Sequence, residues 1–149
     1  MPKVIERRRL LLCLGAAAFL AACDDSPGDL PQQRTQDRLV GTWLREYQEQ
    51  DTAVRRVLEL GADGRFKERS TAQAAGRAME QHTGAGEWLY DGTNLKRRYT
   101  ELDGKQPAAP MVPFATFELR FPSPDEFIGL DNVRKLEVRY RRVADGTAP

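Results

Sequence analysis

From residue 38 onward, apolar and polar residues alternate in short runs separated by turn residues. A period of two puts successive side chains on opposite faces, so each run predicts a half-buried β-strand. The clearest run is 114–121, where Ala115, Phe117, Leu119 and Phe121 share one face. The last, 134–143, sets Leu136, Val138 and Tyr140 against Glu137, Arg139 and Arg141. Six more strands are expected at 39–48, 53–60, 65–71, 86–90, 94–102 and 126–130, with Trp88 and Tyr90 on one face of the fourth. Asp63-Gly64, Asp91-Gly92 and Asp103-Gly104 mark tight turns, because Asp-Gly accepts the positive φ such turns need. Pro122-Ser123-Pro124 is expected to break the sixth strand. The segment Thr71 to Thr83 is rich in Ala and Gly and shows neither period, so a long loop and a short helix both remain open. No amphipathic helical run stands out after residue 23.

Strands every 10 to 15 residues with Gly-bearing hairpins predict an all-β fold. The expected architecture is an eight-stranded antiparallel up-and-down meander barrel over residues 38–143, with a small open β-domain as the alternative. Closing the sheet removes its exposed edges. A barrel of this size is either filled by side chains or holds one small ligand.

The N-terminus carries an address. Residues 1–9 contain Lys3, Arg7, Arg8 and Arg9, and residues 10–22 are apolar or small. That run is too short to span a membrane but suits a signal peptide. Arg7-Arg8-Arg9-Leu10-Leu11 resembles a twin-Arg export signal, but Glu6 stands where a small hydroxyl residue is usual, so general secretion is expected. Leu20-Ala21-Ala22-Cys23 resembles the lipobox of bacterial lipoproteins. The resemblance implies cleavage of residues 1–22, a diacylglycerol thioether on Cys23, and a fatty acyl chain such as palmitate on its new amino group. Several chains on one residue anchor stably where one does not. Residues 23–37 are polar, with Pro27, Gly28 and Pro31, and read as a disordered tether. Asp24 resembles the residue that retains lipoproteins in the inner membrane of enteric bacteria, which favours a periplasm-facing inner-membrane location. Residues 144–149 read as a disordered tail.

Processing changes the chemistry on offer. Cys13 leaves with the leader and Cys23 is lipidated, so the mature chain has no thiol for a disulfide, a metal or nucleophilic catalysis. The formal charge moves from +1 to −2, with 19 basic against 21 acidic residues, which gives no basis for nucleic-acid binding. Lys96-Arg97-Arg98 and Arg139-Arg141-Arg142 suggest a basic patch, but period-two geometry divides each group between two faces. His82 is the single His, no cofactor is implied, and no nucleophile–base pair is visible, so an enzyme is not expected.

The barrel portion resembles the lipocalin-like domains of small bacterial secreted proteins. The resemblance rests on Gly41 and Trp43, Asp63-Gly64-Arg65-Phe66, Gly86-Glu87-Trp88, and an Arg near the end of the last strand. It implies that Arg139 or Arg141 closes over Trp43. Trp43, Trp88, Tyr90, Phe117, Leu119, Val138 and Tyr140 are the candidate cavity lining, with a filled core as the competing reading. Arg45 and Arg56 lie on partly apolar strands, and Arg97, Tyr99 and Glu101 share one face of the fifth. Such residues usually face solvent; an Arg turned inward would suit an anionic headgroup. The expected function is a membrane-anchored envelope protein that binds a small hydrophobic or amphiphilic ligand. The alternative is a protein-interaction module, an assembly factor or enzyme inhibitor, using the loops at 71–83 and 104–113.

Overall fold

The polar run before the first strand is a helix. The computed structural model describes residues 31–149 apart from Met111. The expected leader (1–22), the lipidated Cys23 and residues 23–30 of the expected tether lie outside the described residues. Residues 31–37 are not disordered: they belong to α1 (Pro31–Leu39). Pro at the first helical position costs no hydrogen bond, and Thr35 and Gln33 add local bonds to the Pro31 carbonyl and to Asp37. A nine-residue helix with one buried residue, Leu39, is too short to persist alone. Its stability comes from docking, which a search for amphipathic periodicity does not detect.

Eight strands follow: β1 (Gly41–Glu49), β2 (Thr52–Leu60), β3 (Arg65–Ala74), β4 (Glu80–Tyr90), β5 (Asn94–Leu102), β6 (Phe114–Ser123), β7 (Glu126–Asp131) and β8 (Leu136–Val143). Each pairs antiparallel with the next, and β8 pairs with β1, so the sheet is a closed eight-stranded barrel. The seam is short. β1 and β8 pair only at Thr42↔Val143, Trp43↔Arg142 and Leu44↔Arg141, although both strands run on.

Four boundaries differ from expectation. The Ala/Gly-rich segment is neither loop nor helix: β3 runs to Ala74, β4 starts at Glu80, and Thr71↔Gln81 and Ala72↔Glu80 are in register. These strand ends project past the packed core, so neither face carries the apolar alternation that marks a strand. β6 continues through Pro122, where a register shift between Arg120 and Ser123 accommodates a residue without an N–H. β8 starts at Leu136, because the Asp131 carboxylate accepts the Val133 and Arg134 amides at 2.9 Å and holds those residues in a turn. The C-terminal tail is ordered. Thr42 donates to Asp145 at 2.6 Å, Arg69 to the Thr147 carbonyl and Arg55 to the Ala148 carbonyl, both at 3.1 Å. Leu44 and Val57, opposite each other and outward by alternation, are 2 % and 0 % exposed among these bonds. The tail covers them.

One core fills the barrel from the α1 end. It contains Leu39, Trp43, Leu58, Leu60, Phe66, Trp88, Tyr90, Leu95, Phe127, Val138 and Tyr140, with Val40, Tyr99, Phe117, Leu119 and Phe121 packed against it. Residues 31–149 thus close their own ladder and bury their own core, which is what independent folding of a domain requires.

Candidate functional site

The two ends of the barrel are finished differently. At the α1 end, the last helical carbonyls need partners. Trp43 Nε1 donates to the Leu39 carbonyl at 2.7 Å. Arg142 lies over the Trp43 ring at 4.3 Å and donates to the carbonyls of Arg38 (2.5 Å) and Val40 (2.9 Å). A cation at a helix C-terminus also opposes the helix dipole. Gly41 makes this possible: its φ is +130°, and a Cβ there would lie 2.4 Å from an Arg142 terminal nitrogen. Arg38 stacks on Phe121 at 4.1 Å and donates to the Ser123 carbonyl. Gln32 donates to the Tyr90 carbonyl at 3.0 Å, so α1 lies across this end and plugs it.

The residue over Trp43 is therefore Arg142, neither Arg139 nor Arg141. Val138, Tyr140 and Arg142 share the inward face, so Arg139 and Arg141 point outward, to Glu126 (2.5 Å) and Glu46 (3.3 Å). The same alternation turns Arg97 inward while Lys96 and Arg98 pair outside with Asp91 (2.7 Å) and Glu87. The expected basic patches are divided in this way.

All seven candidate lining residues come together in the core. Trp43 meets Phe127 edge-on at 4.7 Å, and Phe127 stacks on Tyr140 at 4.9 Å. The polar tips of Trp88 and Tyr90 are bonded to the carbonyls of Gly61 (2.9 Å) and Gly92 (2.8 Å). Trp43, Trp88 and Tyr90 thus complete the plugged end. Phe117 and Tyr140 lie deeper, beside a charged cluster.

That cluster lies between the core and the other end. Arg97 is 2 % exposed and donates to Glu68 at 2.5 Å. Arg56 is 3.7 Å from the other Glu68 oxygen, and the Tyr99 hydroxyl is 3.3 Å from the carboxylate. Arg97 also lies 5.5 Å from the Phe66 ring centre, 5.6 Å from Tyr99 and 5.8 Å from Phe117. Burial alone would raise the Glu68 carboxyl pKa, but the charges of Arg97 and Arg56 and the bonds from Arg97 and Tyr99 hold it below the ordinary value. Burial pushes the Tyr99 phenol up to about 12. Burial works against the charge of Arg56 and Arg97, but Glu68 together with the surrounding tyrosines offsets it, so both stay charged. Two guanidinium groups therefore share one carboxylate, and the buried Nε atoms of both have no hydrogen-bond partner among the described residues.

Above the cluster the barrel opens. A cavity of about 410 Å³ is lined by Tyr47, Glu49, Gln50, Thr52, Val54, Arg56, Ser70, Ala72 and His82. Tyr47, Val54, Arg56, Ser70 and Ala72 follow the inward alternation of β1, β2 and β3, so this is the mouth of the barrel. Arg45 has the same parity, lies directly opposite Arg56, and stacks on Tyr47 at 3.9 Å. Like charges directly opposed on adjacent strands are destabilising unless something lies between them.

His82, at the mouth, is exposed and 3.2 Å from Asp103. Among the described residues no group of three or more His, Cys, Asp or Glu side chains is placed to hold a metal ion. Outside the barrel, grooves of about 500 and 640 Å³ flank β4, the first lined in part by Leu89, Lys96, Arg98 and Phe114.

The mouth cluster was the least visible part of the site. The available signal was parity: Arg56 alternates with Leu58 and Leu60, Glu68 with Phe66, and Arg97 with Leu95, all buried. No protein-family model matches the chain, and no curated protein matches it.

Proposed function

We propose that this protein is a lipid-anchored cell-envelope barrel that binds a small amphiphile through its open mouth. The observation that carries the reading is the asymmetry of the closed barrel: one end is plugged by α1, and the other holds a cavity of about 410 Å³. That volume lies within the range of small-molecule sites. The walls suit an amphiphile, with Tyr47, Val54 and Ala72 supplying apolar surface and Arg56 and Ser70 polar groups.

Lipidation at Cys23 fits the same reading. Eight residues reach at most about 28 Å, so α1 stays within that distance of the membrane. In this reading the resemblance to lipocalin-like domains extends to use, with the site displaced from the core to the mouth. The chain acts by binding, with no catalysis.

The test is calorimetric titration of residues 24–149 with decyl-chain amphiphiles. Ser70→Trp, which fills the mouth, should abolish binding while leaving the β-sheet circular dichroism unchanged. Undiminished binding would place the site elsewhere. For the anchor, Cys23→Ser should remove the lipid mass and release the protein from membranes.

A second reading, a protein-interaction module, is favoured by the groove beside β4 and β5. Phe114, 66 % exposed, lines it with the exposed Leu89, and Val112 is exposed nearby on the loop before β6. Phe114→Asp should abolish partner capture under this reading and leave amphiphile binding intact.

A further inference from the structure

Arg45 and Arg56 make an arrangement that the fold does not need. They are Cα partners across β1 and β2, and alternation places both side chains on the inner face. Arg45 has no carboxylate or carbonyl partner among the described residues; its guanidinium rests on the Tyr47 ring. Arg56 reaches Glu68 only at 3.7 Å, and Glu68 is already engaged by Arg97 and Tyr99. The charged groups around this point are thus Arg45, Arg56 and Arg97 against Glu68, with Glu49 and His82 farther out on the rim. The balance of the inner four is +2.

Uncompensated positive charge in a partly buried site is costly, and it is relieved most directly by an anion. The seam geometry gives access. β1–β8 pairing ends at Leu44↔Arg141, so Arg45 stands where the ladder has stopped. Opposed side chains on adjacent strands are about 5 Å apart at Cβ. Two guanidinium groups at that spacing can bracket one carboxylate or phosphate, each with parallel N–H donors. Ser70, paired with Arg56 on β3, adds a hydroxyl to the same floor.

The geometry points to an anion-binding site formed by Arg45 and Arg56, which receives the carboxylate or phosphate head of an amphiphile that enters the mouth head-first; this rests on the amphiphile reading above. Arg97 is a positioning residue. It takes the shorter contact with Glu68, 2.5 Å against 3.7 Å for Arg56, so Arg56 is only partly compensated. The apolar chain of the ligand lies against Tyr47, Val54 and Ala72.

The test uses residues 24–149 and follows the arginine Nε–Hε signals by NMR during titration with decanoate, decyl maltoside and inorganic phosphate. Decanoate should shift the Arg45 and Arg56 signals saturably. It should bind at least about tenfold more tightly than decyl maltoside, which has the same chain and a neutral head, since a charge-assisted bidentate contact exceeds about 1.4 kcal/mol. Arg56→Gln and, separately, Arg45→Gln should each remove that tenfold preference while leaving decyl maltoside binding unchanged. Equal binding of decanoate and decyl maltoside, insensitive to both variants, would overturn the anion site and leave the amphiphile reading standing. Phosphate binding as tightly as decanoate would support the site and identify free anion as its ligand, which would overturn the amphiphile reading. Arg45 and Arg56 signals that no probe moves would overturn the site, and calorimetry silent for both decyl probes would overturn the amphiphile reading as well.

Discussion

Arg142 and Arg45 are both carried on strands that form the seam, and both stack on an aromatic ring, Trp43 at 4.3 Å and Tyr47 at 3.9 Å. Only Arg142 is used by the fold: it donates to the carbonyls of Arg38 and Val40 and joins α1 to the barrel. Arg45 faces another Arg instead. The contrast extends to the whole of each end. At the plugged end the carbonyls of Arg38, Leu39 and Val40 are bonded and the apolar residues are packed, with the Arg38 Nε the one buried side-chain atom there left without a partner among the described residues. At the mouth, charge exceeds its compensation and a cavity remains. A residue type that the fold uses in one setting is therefore left undercompensated in the other, and the difference lies in which partners are within reach.

Substitutions can sharpen this contrast. The largest effect is expected at the plug. Trp43→Ala removes a fully buried indole and leaves the Leu39 carbonyl without its donor, at a cost of about 3–5 kcal/mol in urea unfolding. At the charged cluster the single variant Glu68→Gln leaves Arg97 buried without its counter-ion and should cost about 3 kcal/mol. The triple variant Arg56→Met/Glu68→Leu/Arg97→Met should recover most of that loss, because apolar residues of similar volume replace the whole buried ionic cluster at little cost. A triple variant as unstable as the single one would show that the cluster supports the fold after all.

The pH dependence follows from the same carboxylate. In the folded protein Glu68 titrates below the ordinary range of a glutamate carboxyl, because its burial is outweighed by Arg97, Arg56 and the bonds to its oxygens together. Its contribution is therefore complete above about pH 4.5 and is lost as pH falls through the lower, folded value. Acid unfolding should be less steep below pH 4.5 in Glu68→Gln than in the wild type, as followed by tryptophan fluorescence. Deleting residues 144–149 uncovers Leu44 and Val57 and should cost about 2 kcal/mol, without changing the mouth. The smallest effect is expected on the outer wall, where Arg120→Ala breaks an exposed pair with Glu137 and should change stability by less than about 0.5 kcal/mol.

The barrel was legible because its signal is periodic. The strands carry apolar residues at alternate positions where they cross the core, as in Leu58 and Leu60 or Val138 and Tyr140, and the Asp-Gly turns fix where the chain reverses. Legibility failed where burial stops or where docking replaces pattern. Residues 71–74 and 80–83 are strand without a buried face, α1 is a helix held by its ends, and the tail is held by side chains of β1, β2 and β3. The closing Arg is Arg142 where Arg139 or Arg141 is expected, although parity with Tyr140 points to Arg142. The mouth cluster was hidden for a chemical reason: charged residues are normally outside, and period alone does not say which face is inward until the apolar neighbours on the same strand are weighed. Arg97 between Leu95 and Tyr99 is the instance where that weighing decides.

The most direct test of a binding mouth is native mass spectrometry of residues 24–149 isolated from a periplasm without detergent. A reproducible added mass is expected, carrying an acidic group, retained in Phe114→Asp and lost in both Ser70→Trp and Arg56→Gln. A bare polypeptide mass that takes up no decanoate when it is offered would contradict the binding mouth and turn attention to the groove beside Phe114.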